Sequence, residues 1–409
     1  TMSSDISNSG HKPDGGSAQH KAPPPSKPKF WNDPKKRSLL FQVLLLATLG
    51  FVFYTIIDNT LTNLEQRGIT TGFDFLTREA GFGIAMTLID YTEASSYGMT
   101  FVVGLLNTIL IAILGIIAAT ILGFILGVAR LSDNWLIAKF SALYIEVFRN
   151  IPLLLQIFFW YYAVLRTLPH PRQSIEFFGS FINNRGFIFP SPVPEEGFGL
   201  VVFGFFAAII ASWVIARWSR KRQELTGQQF PVILTSIGLI VGVPLIMFLF
   251  SGMPLGLDHP ELKGFNFQGG ITVIPELMAL WVALSIYTAA FIAETVRAGI
   301  LAVSHGQTEA ATALGMSKAK TLRLIVIPQA MRVVIPPLTS QYLNLTKNSS
   351  LATAIGYPDL VNVFAGTTLN QTGQAIEVIA MTMAVYLTLS LLTSFFMNWY
   401  NARIQLTER

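Results

Sequence analysis

Long apolar stretches recur along the chain and alternate with shorter polar segments. A helix needs ~20 mostly apolar residues to cross the hydrocarbon core of a bilayer. Eight stretches meet this requirement: 39–57, 101–128, 141–165, 198–217, 231–250, 275–298, 331–355 and 375–399. The pattern predicts an all-α polytopic membrane protein with about eight transmembrane helices. Pro336-Pro337 lies in the seventh stretch and predicts a bend or break near the start of that helix.

The polar segments suggest how the chain is organised. Residues 1–38 are rich in Ser, Pro, Gly, Lys and Asp and lack apolar periodicity, which is typical of a disordered basic tail. No small-residue cleavage site follows 39–57, so we expect a transmembrane helix there rather than a signal peptide. We expect 58–98 to be a periplasmic segment that can hold short interfacial helices, and 401–409 to be a short C-terminal segment.

The distribution of Lys and Arg sets the expected orientation. With the N-terminus inside, 20 of these residues fall on the inner side and six on the outer side, while Arg149 and Lys347 fall within apolar stretches. Inner loops of membrane proteins carry the excess of Lys and Arg. The sequence therefore predicts that both termini and the loop at 299–330 face the cytoplasm.

Composition supports a membrane protein without bond chemistry of its own. Hydrophobic residues make up 52% of the chain and charged residues 12%, about half of the ~25% charged share of soluble domains. The chain has no cysteine, which excludes disulfides, thiolate metal sites and a cysteine nucleophile. Its five histidines show no metal-ligand spacing with acidic neighbours, and no nucleophile–base–acid arrangement stands out. We expect no metal and no cofactor on this chain.

The loop at 299–330 carries signals for two short helices. Ser304 and Gln307 have the spacing of a capping box, and a helix can run from there to Leu314. Gly315 suits the left-handed turn that closes a helix, and a second helix can follow. Two interpretations remain open from these residues: an interfacial hairpin that only links two spans, or a docking site for a partner.

The spacing in this loop resembles a known motif. Glu309-Ala310-Ala311, Gly315, Ile325 and Ile327-Pro328 resemble the pattern Glu-Ala-Ala-x3-Gly-x9-Ile-x-Leu-Pro of the EAA loop in membrane subunits of ABC importers. The one departure is Ile327 in place of Leu, which conserves volume.

This resemblance implies a coupling helix that docks into a cleft of a nucleotide-binding subunit. The chain has no phosphate-binding loop of the G-x-x-x-x-G-K-[ST] type, so ATP and Mg would be bound by a separate ATPase. The residues that the resemblance assigns to ATPase coupling are Gln307, Glu309, Ala310, Ala311, Leu314, Gly315 and Met316.

Four further stretches resemble polar amino-acid permeases of the same class. They are Tyr144 to Leu154, Gly104 to Thr108, Ala293 to Ile300 and Lys347 to Leu351. The resemblance covers about 100–400, interrupted by an insertion at about 169–270 that carries two spans. It implies a type I ABC importer permease domain at 99–400, closest to permeases of general L-amino-acid transporters.

The resemblance also implies a set of partners and a location. It implies a second permease subunit that is a non-identical homologue, an ABC ATPase dimer, a periplasmic amino-acid-binding protein and membrane lipid, and no nucleic acid. The expected function is import of L-amino acids over a broad range by alternating access, in a bacterial inner membrane. The alternative is an ion-gradient-driven secondary transporter or channel, which the near absence of mid-span Asp and Glu disfavours.

A polar stripe lies on the seventh predicted span. Gln341, Asn344 and Asn348 follow the spacing i, i+3, i+7, so they share one helix face. Such a stripe indicates either a substrate cavity or hydrogen bonds between helices. Relatives often have Asp in place of Asn348, so a neutral residue there favours a broad or non-basic substrate range. The candidate substrate-path residues are Gln341, Asn344, Lys347, Asn348, Ser349 and Ser350.

Two charged pairs are expected near the inner ends of spans. Glu146 with Arg149 and Glu294 with Arg297 are each spaced i, i+3. They can brace an inner gate, or they can be ordinary surface ion pairs worth at most ~1 kcal/mol. Both interpretations stay open from the sequence.

Overall fold

The structure is a computed structural model that describes residues 34–66, 68 and 71–404. The chain forms two compact units, residues 1–70 and 71–409. The described part of the first unit is helix α1, Pro34–Gln66, whose apolar side chains are exposed as expected for a helix that faces lipid. Pro34 suits this position because its fixed φ fits the first turn of a helix.

The predicted ends of the chain are partly outside the described residues. Of the predicted tail, 1–33 lies outside them, and residues 34–38 belong to α1, so the predicted tail boundary is five residues too late. At the other end, the last helix continues to Ile404, and residues 405–409 lie outside the described part.

The second unit is mainly helical. Seven helices in the described chain, α1 among them, are long and apolar enough to cross a membrane, and a bent helix pair can form an eighth span. This confirms the predicted fold class. The helices of the second unit in the described residues are α2 Tyr97–Ala129, α3 Trp135–Asn150, α4 Leu153–Phe158, α5 Phe198–Thr226, α6 Val232–Phe250, α7 Pro275–Leu301, α8 His305–Ala313, α9 Lys318–Thr321, α10 Ile327–Asn348, α11 Leu369–Thr372 and α12 Ala375–Ile404.

The third predicted span is broken rather than continuous. Helix α3 ends at Asn150. Helix α4 begins at Leu153 and continues as a π-helical segment, Phe159–Leu165, and the axes of Trp135–Asn150 and Leu153–Leu165 differ by 104°. Ile151 is extended because the residue before a proline is disfavoured in helical geometry. The Gln156 side chain donates to the carbonyls of Phe148 at 3.1 Å and Ile151 at 2.9 Å, which satisfies acceptors that the break exposes. The predicted span over 141–165 is therefore bent at Pro152 rather than one straight helix.

The two prolines of the seventh span do not break it. Helix α10 runs without interruption through Pro336 and Pro337, so of the predicted bend or break, the break is wrong. Val334, Ile335 and Leu338 are buried in a cluster with residues of α2 and α7, and this packing holds the helix together across the prolines. Upstream, a π-helical segment, Leu322–Val326, leads into α10.

Helix α7 lies at the centre of the core. It packs along α2, α3 and α10, and Leu280, Leu284 and Ile292 are fully buried on it. Close approach to α2 depends on Gly123 and Gly127, whose missing side chains leave room for α7. The C-terminal ends of α2 and α7 are thereby brought together.

A segment between α10 and α12 folds back onto the N-terminal half of α2. It contains a 3₁₀ segment, Ser349–Ile355, and a π-helical segment, Val361–Thr368, joined at Gly356 with φ +79°. The Asn107 side-chain amide donates to the Pro358 carbonyl at 2.8 Å, and the Thr108 hydroxyl accepts from the backbone N–H of Leu360 at 3.0 Å. These bonds fasten the segment to α2.

Eight short strands, which were not predicted from the sequence, lie within the insertion and directly after it. They form an antiparallel sheet in the order β1-β2-β3-β8 and two hairpins, β4-β5 and β6-β7. Their bounds are β1 Ile175–Phe177, β2 Ser180–Asn183, β3 Gly186–Phe189, β4 Ser191–Pro194, β5 Leu255–Asp258, β6 Glu261–Lys263, β7 Asn266–Gln268 and β8 Ile271–Val273.

Candidate functional site

The loop between α7 and α10 forms the expected helix–turn–helix. Helix α8 ends at Ala313, and Gly315 takes the left-handed conformation with φ +72°. The N–H of Gly315 donates to the Thr312 carbonyl at 2.9 Å, and the N–H of Met316 donates to the Ala311 carbonyl at 3.1 Å. These bonds close α8 in the way that a glycine after a helix allows, so the predicted turn is confirmed.

The start of α8 differs from the predicted capping box. Ser304 is the N-cap residue, but its side chain makes no capping hydrogen bond. Its backbone carbonyl accepts from the N–H of Gln307 at 3.0 Å instead, and the Gln307 side chain accepts from Gln329 at 3.4 Å. Gln307 therefore reaches across to the start of α10 rather than back to the cap.

Most of the predicted coupling residues face outward. Gln307, Glu309, Ala310 and Gly315 are exposed, and Met316 is half-buried. Leu314, at the tip of the loop, is 82% exposed.

One predicted coupling residue is buried. Ala311 is 1% exposed, so its side chain packs against the rest of the chain. The Glu309 carboxylate lies 3.0 Å from Nδ1 of His305, one turn earlier on the exposed face of α8.

Only one of the two predicted charged pairs forms. Arg297 donates from Nε to both carboxylate oxygens of Glu294, at 3.2 and 3.1 Å, and from Nη2 at 2.5 Å. In the part of the chain that the structure describes, Glu146 makes no ion pair with Arg149, so that predicted pair is wrong. The Arg149 guanidinium instead lies 5.2 Å from the centre of the Phe291 ring.

Arg149 and Glu294 line two adjoining cavities at the C-terminal ends of α2, α3 and α7. A 360 Å³ cavity is bordered by both signs of charge. A second cavity of 320 Å³ shares Arg149, Phe291 and Glu294 with it and reaches Gln341 on α10. The first cavity is lined by Arg130, Ile145, Glu146, Arg149, Asn150, Phe291 and Glu294. Spacing along one helix could not reveal the contribution of Arg130 and Phe291, which come from α2 and α7.

The structure separates the predicted substrate-path residues. Gln341 lines the 320 Å³ cavity described above. Lys347 and Ser350 instead line a 530 Å³ cavity beside Tyr386 on α12. Asn344 is exposed and Asn348 is half-buried. Ser349 is fully buried and its hydroxyl donates to the Thr346 carbonyl at 2.7 Å, so it does not line an open path.

Residues outside the predicted set connect the N-terminal half of α2 to distant parts of the chain. Asn107 is fully buried, and its amide donates to the Met86 carbonyl at 3.0 Å as well as to Pro358. The Tyr357 hydroxyl donates to the Asn107 carbonyl at 3.0 Å. The stretch 104–108 was noted only for its resemblance, and nothing in its spacing indicates these long-range bonds.

Comparison with known proteins places this arrangement among transport components. Residues 200–406 match the family described as binding-protein-dependent transport system inner membrane component. The chain is 56% identical to the putative amino-acid ABC transporter permease protein YhdX of Escherichia coli strain K12, over 92% of this chain and 96% of that protein.

Two further relatives cover the same part of the chain. It is 54% identical to the general L-amino acid transport system permease protein AapQ of Rhizobium johnstonii, over 92% of this chain and 94% of that protein. It is 42% identical to the glutamate/glutamine/aspartate/asparagine transport system permease protein BztB of Rhodobacter capsulatus, over 92% and 96%.

Proposed function

Because the chain belongs to the family of binding-protein-dependent transport system inner membrane components, we propose that it is a permease subunit of an ATP-driven importer of L-amino acids. Membership makes it a multi-pass inner-membrane translocation component rather than an enzyme. The names of its relatives support amino acids as the cargo.

The observation that carries the proposal is the exposed loop around α8. Its tip presents Leu314 and the carboxylate of Glu309 to solvent, and Gly315 holds the turn that projects them. The excess of Lys and Arg on the same side supports a cytoplasmic position for this loop and for both termini. An ATPase dimer that carries ATP and Mg would dock there, and closure of the dimer would move the loop.

The translocation path lies between this chain and a second, non-identical permease subunit. A periplasmic amino-acid-binding protein delivers the substrate from the outer side, and alternating access follows from rigid-body motion of the spans. The cavities around Arg149 and Glu294 support an inner gate, because they bring unpaired and paired charges from three helices to one place. The 530 Å³ cavity beside Lys347 supports a substrate position deeper in the membrane.

The substrate range is proposed to be broad. The half-buried residue Asn348 carries no charge, so it does not select basic side chains by attraction. The relatives' names fit this range, since one is a general L-amino acid permease and another serves acidic residues and their amides.

Co-purification with candidate ATPases tests the coupling role. Glu309→Lys and Gly315→Asp should abolish retention of the ATPase and its stimulation by loaded binding protein. Glu224→Lys is a matched charge reversal at an exposed position on α5, and Gly227→Asp is a matched substitution at another helix-ending glycine, with φ +71°. Both controls should retain the ATPase. Normal ATPase binding and stimulation in both loop variants would refute the coupling assignment.

A further inference from the structure

The insertion places a helical hairpin at the edge of the second unit. Helices α5 and α6 pack on each other. A Cβ added at Gly204 of α5 would clash with Sδ of Met247 on α6. Gly204, Ala208 and Ser212 recur every four residues on the buried seam of α5, the pattern of small residues by which membrane helices pair. Every residue of α6, as the structure describes it, is at least partly exposed, so the hairpin presents most of its surface to lipid.

The length of α5 places its basic end in the headgroup layer. The 19 residues from Phe198 to Ala216 span ~28 Å at 1.5 Å per residue, close to the ~30 Å hydrocarbon core. The helix continues to Thr226. Arg217, Arg220 and Lys221 therefore emerge where the hydrocarbon ends, on the side that carries the excess of Lys and Arg.

These three cations share one face of the helix. They are spaced i, i+3 and i+4, and Trp213 lies one turn above Arg217 on the same face. The Arg217 guanidinium lies 3.9 Å from the centre of the Trp213 ring. Stacking on the ring fixes the guanidinium plane and leaves its N–H groups for an acceptor.

An aromatic rim adjoins this face. Arg222 lies 5.2 Å from the ring centre of Trp218, and Trp218 packs edge-on against Phe230 at 5.6 Å. Trp side chains concentrate at the headgroup level of bilayers because their rings are apolar and their N–H groups are polar. The rim thus marks the depth at which the basic face lies.

The positive charge of this face is not neutralised within the described chain. There, no carboxylate lies within 4.0 Å of Arg217, Arg220 or Lys221. All three side chains are exposed. The sequence from 213 to 230 contains a single acid, Glu224, against four cations.

We propose that Arg217, Arg220 and Lys221, together with Trp213, bind the phosphate headgroups of anionic phospholipids in the inner leaflet. Clusters of Lys and Arg just inside a membrane helix attract anionic lipids, and arginine pairs with phosphate through two parallel hydrogen bonds. The apolar flanks of the hairpin hold the acyl chains beside the same face. The site would anchor the insertion in the membrane at a fixed depth.

The test uses the purified full chain in nanodiscs that contain phosphatidylglycerol and phosphatidylcholine. Native mass spectrometry counts the phosphatidylglycerol that the protein retains and gives an apparent Kd. Arg217→Gln with Lys221→Gln should weaken retention about 25-fold, since each cation near the surface contributes about a fivefold factor. Arg220→Gln alone should weaken it about fivefold, which keeps the test decisive if the double variant fails to fold.

The matched control removes two exposed charges from the outer side of the protein. Arg78→Gln with Lys263→Gln lowers the net charge equally and should leave retention within twofold, because neither residue adjoins the hairpin's basic end. An equal loss of phosphatidylglycerol in both double variants would mean that only the net charge matters, and it would overturn the site. Unchanged retention in the α5 variants would overturn it as well. Amino-acid uptake is measured separately, so failure of the lipid site leaves the transport proposal intact.

Discussion

The close contact between α2 and α7 predicts that even a methyl group added at the glycines of α2 destabilises the protein strongly. A Cβ added at Gly123 would lie 2.6 Å from Cβ and Cγ2 of Ile292. A Cβ added at Gly127 would lie 2.7 Å from the Ala293 carbonyl oxygen and 2.8 Å from Cβ of Val296. Favourable carbon contacts need about 3.5–4.0 Å. The double variant Gly123→Ala, Gly127→Ala therefore forces the two helices about 1 Å apart.

The cost follows from which atoms are crowded. Backbone and Cβ atoms cannot move by changing rotamer, so each site lies in the upper part of the ~1–3 kcal/mol range for overpacking. Replacing glycine by alanine inside a helix by itself stabilises the helix by ~1 kcal/mol. The double variant should lose roughly 2–4 kcal/mol of stability, the sum of both sites after that gain.

Thermal unfolding of the purified protein in detergent, followed by tryptophan fluorescence, measures this loss. The melting temperature of the double variant should fall by several degrees. Gly238→Ala on α6 is the matched control, because a Cβ there meets nothing within 4 Å, and it should be as stable as the wild type or slightly more so. A double variant that melts with the wild type, while the control gains stability, would refute the close approach of α2 and α7.

Three further predictions concern polar residues in the core and along the path. Asn348→Asp should shift uptake toward Arg, Lys and His, and competition assays that show no such shift would contradict the proposed role of a neutral residue. The single variant Arg297→Gln should melt at a lower temperature than the double variant Glu294→Gln, Arg297→Gln. The reason is that the single change leaves the half-buried Glu294 carboxylate without its partner. Equal melting temperatures would exclude a structural ion pair. Asn107→Leu leaves the buried Pro358 carbonyl and the half-buried Met86 carbonyl without their donor, at ~1–3 kcal/mol for the buried one, so it should melt below Asn344→Leu at an exposed position.

The membrane spans were predictable because the bilayer imposes a local rule. A run of ~20 apolar residues is needed wherever a helix crosses hydrocarbon, and nothing distant in the chain alters that requirement. The turn at Gly315 was predictable for the same reason, since its left-handed backbone depends on the residue itself. These features need no knowledge of tertiary contacts.

Proline shows where local rules stop. Pro152 divides the third span, while Pro336 and Pro337 lie within an unbroken helix. At the first position, the side chain of Gln156 supplies donors to the released carbonyls and stabilises the bend. At the second, buried neighbours keep α10 continuous across the gap in its hydrogen bonds. The sequence marks each proline equally, and only the surrounding contacts decide between a break and a continuous helix.

The strands of the insertion were missed because each has three or four residues. Such lengths are too short to display alternation of apolar and polar positions. Strand β3 pairs with β8, which lies beyond the whole α5–α6 hairpin, so their pairing depends on the return of the chain. A strand whose partner is more than 80 residues away leaves no local signal of that partner.

The two predicted Glu–Arg pairs show the same limit for side chains. Both have the spacing i, i+3, yet Glu294 and Arg297 bond closely while Glu146 and Arg149 do not. Arg297 lies within α7, where the helix continues on both sides and fixes the facing geometry. Arg149 lies in the last turn of α3, one residue from its end, and the ring of Phe291 on α7 offers its guanidinium another partner. After the bend that follows α3, the Arg149 side chain therefore faces the cavity that it shares with Glu294.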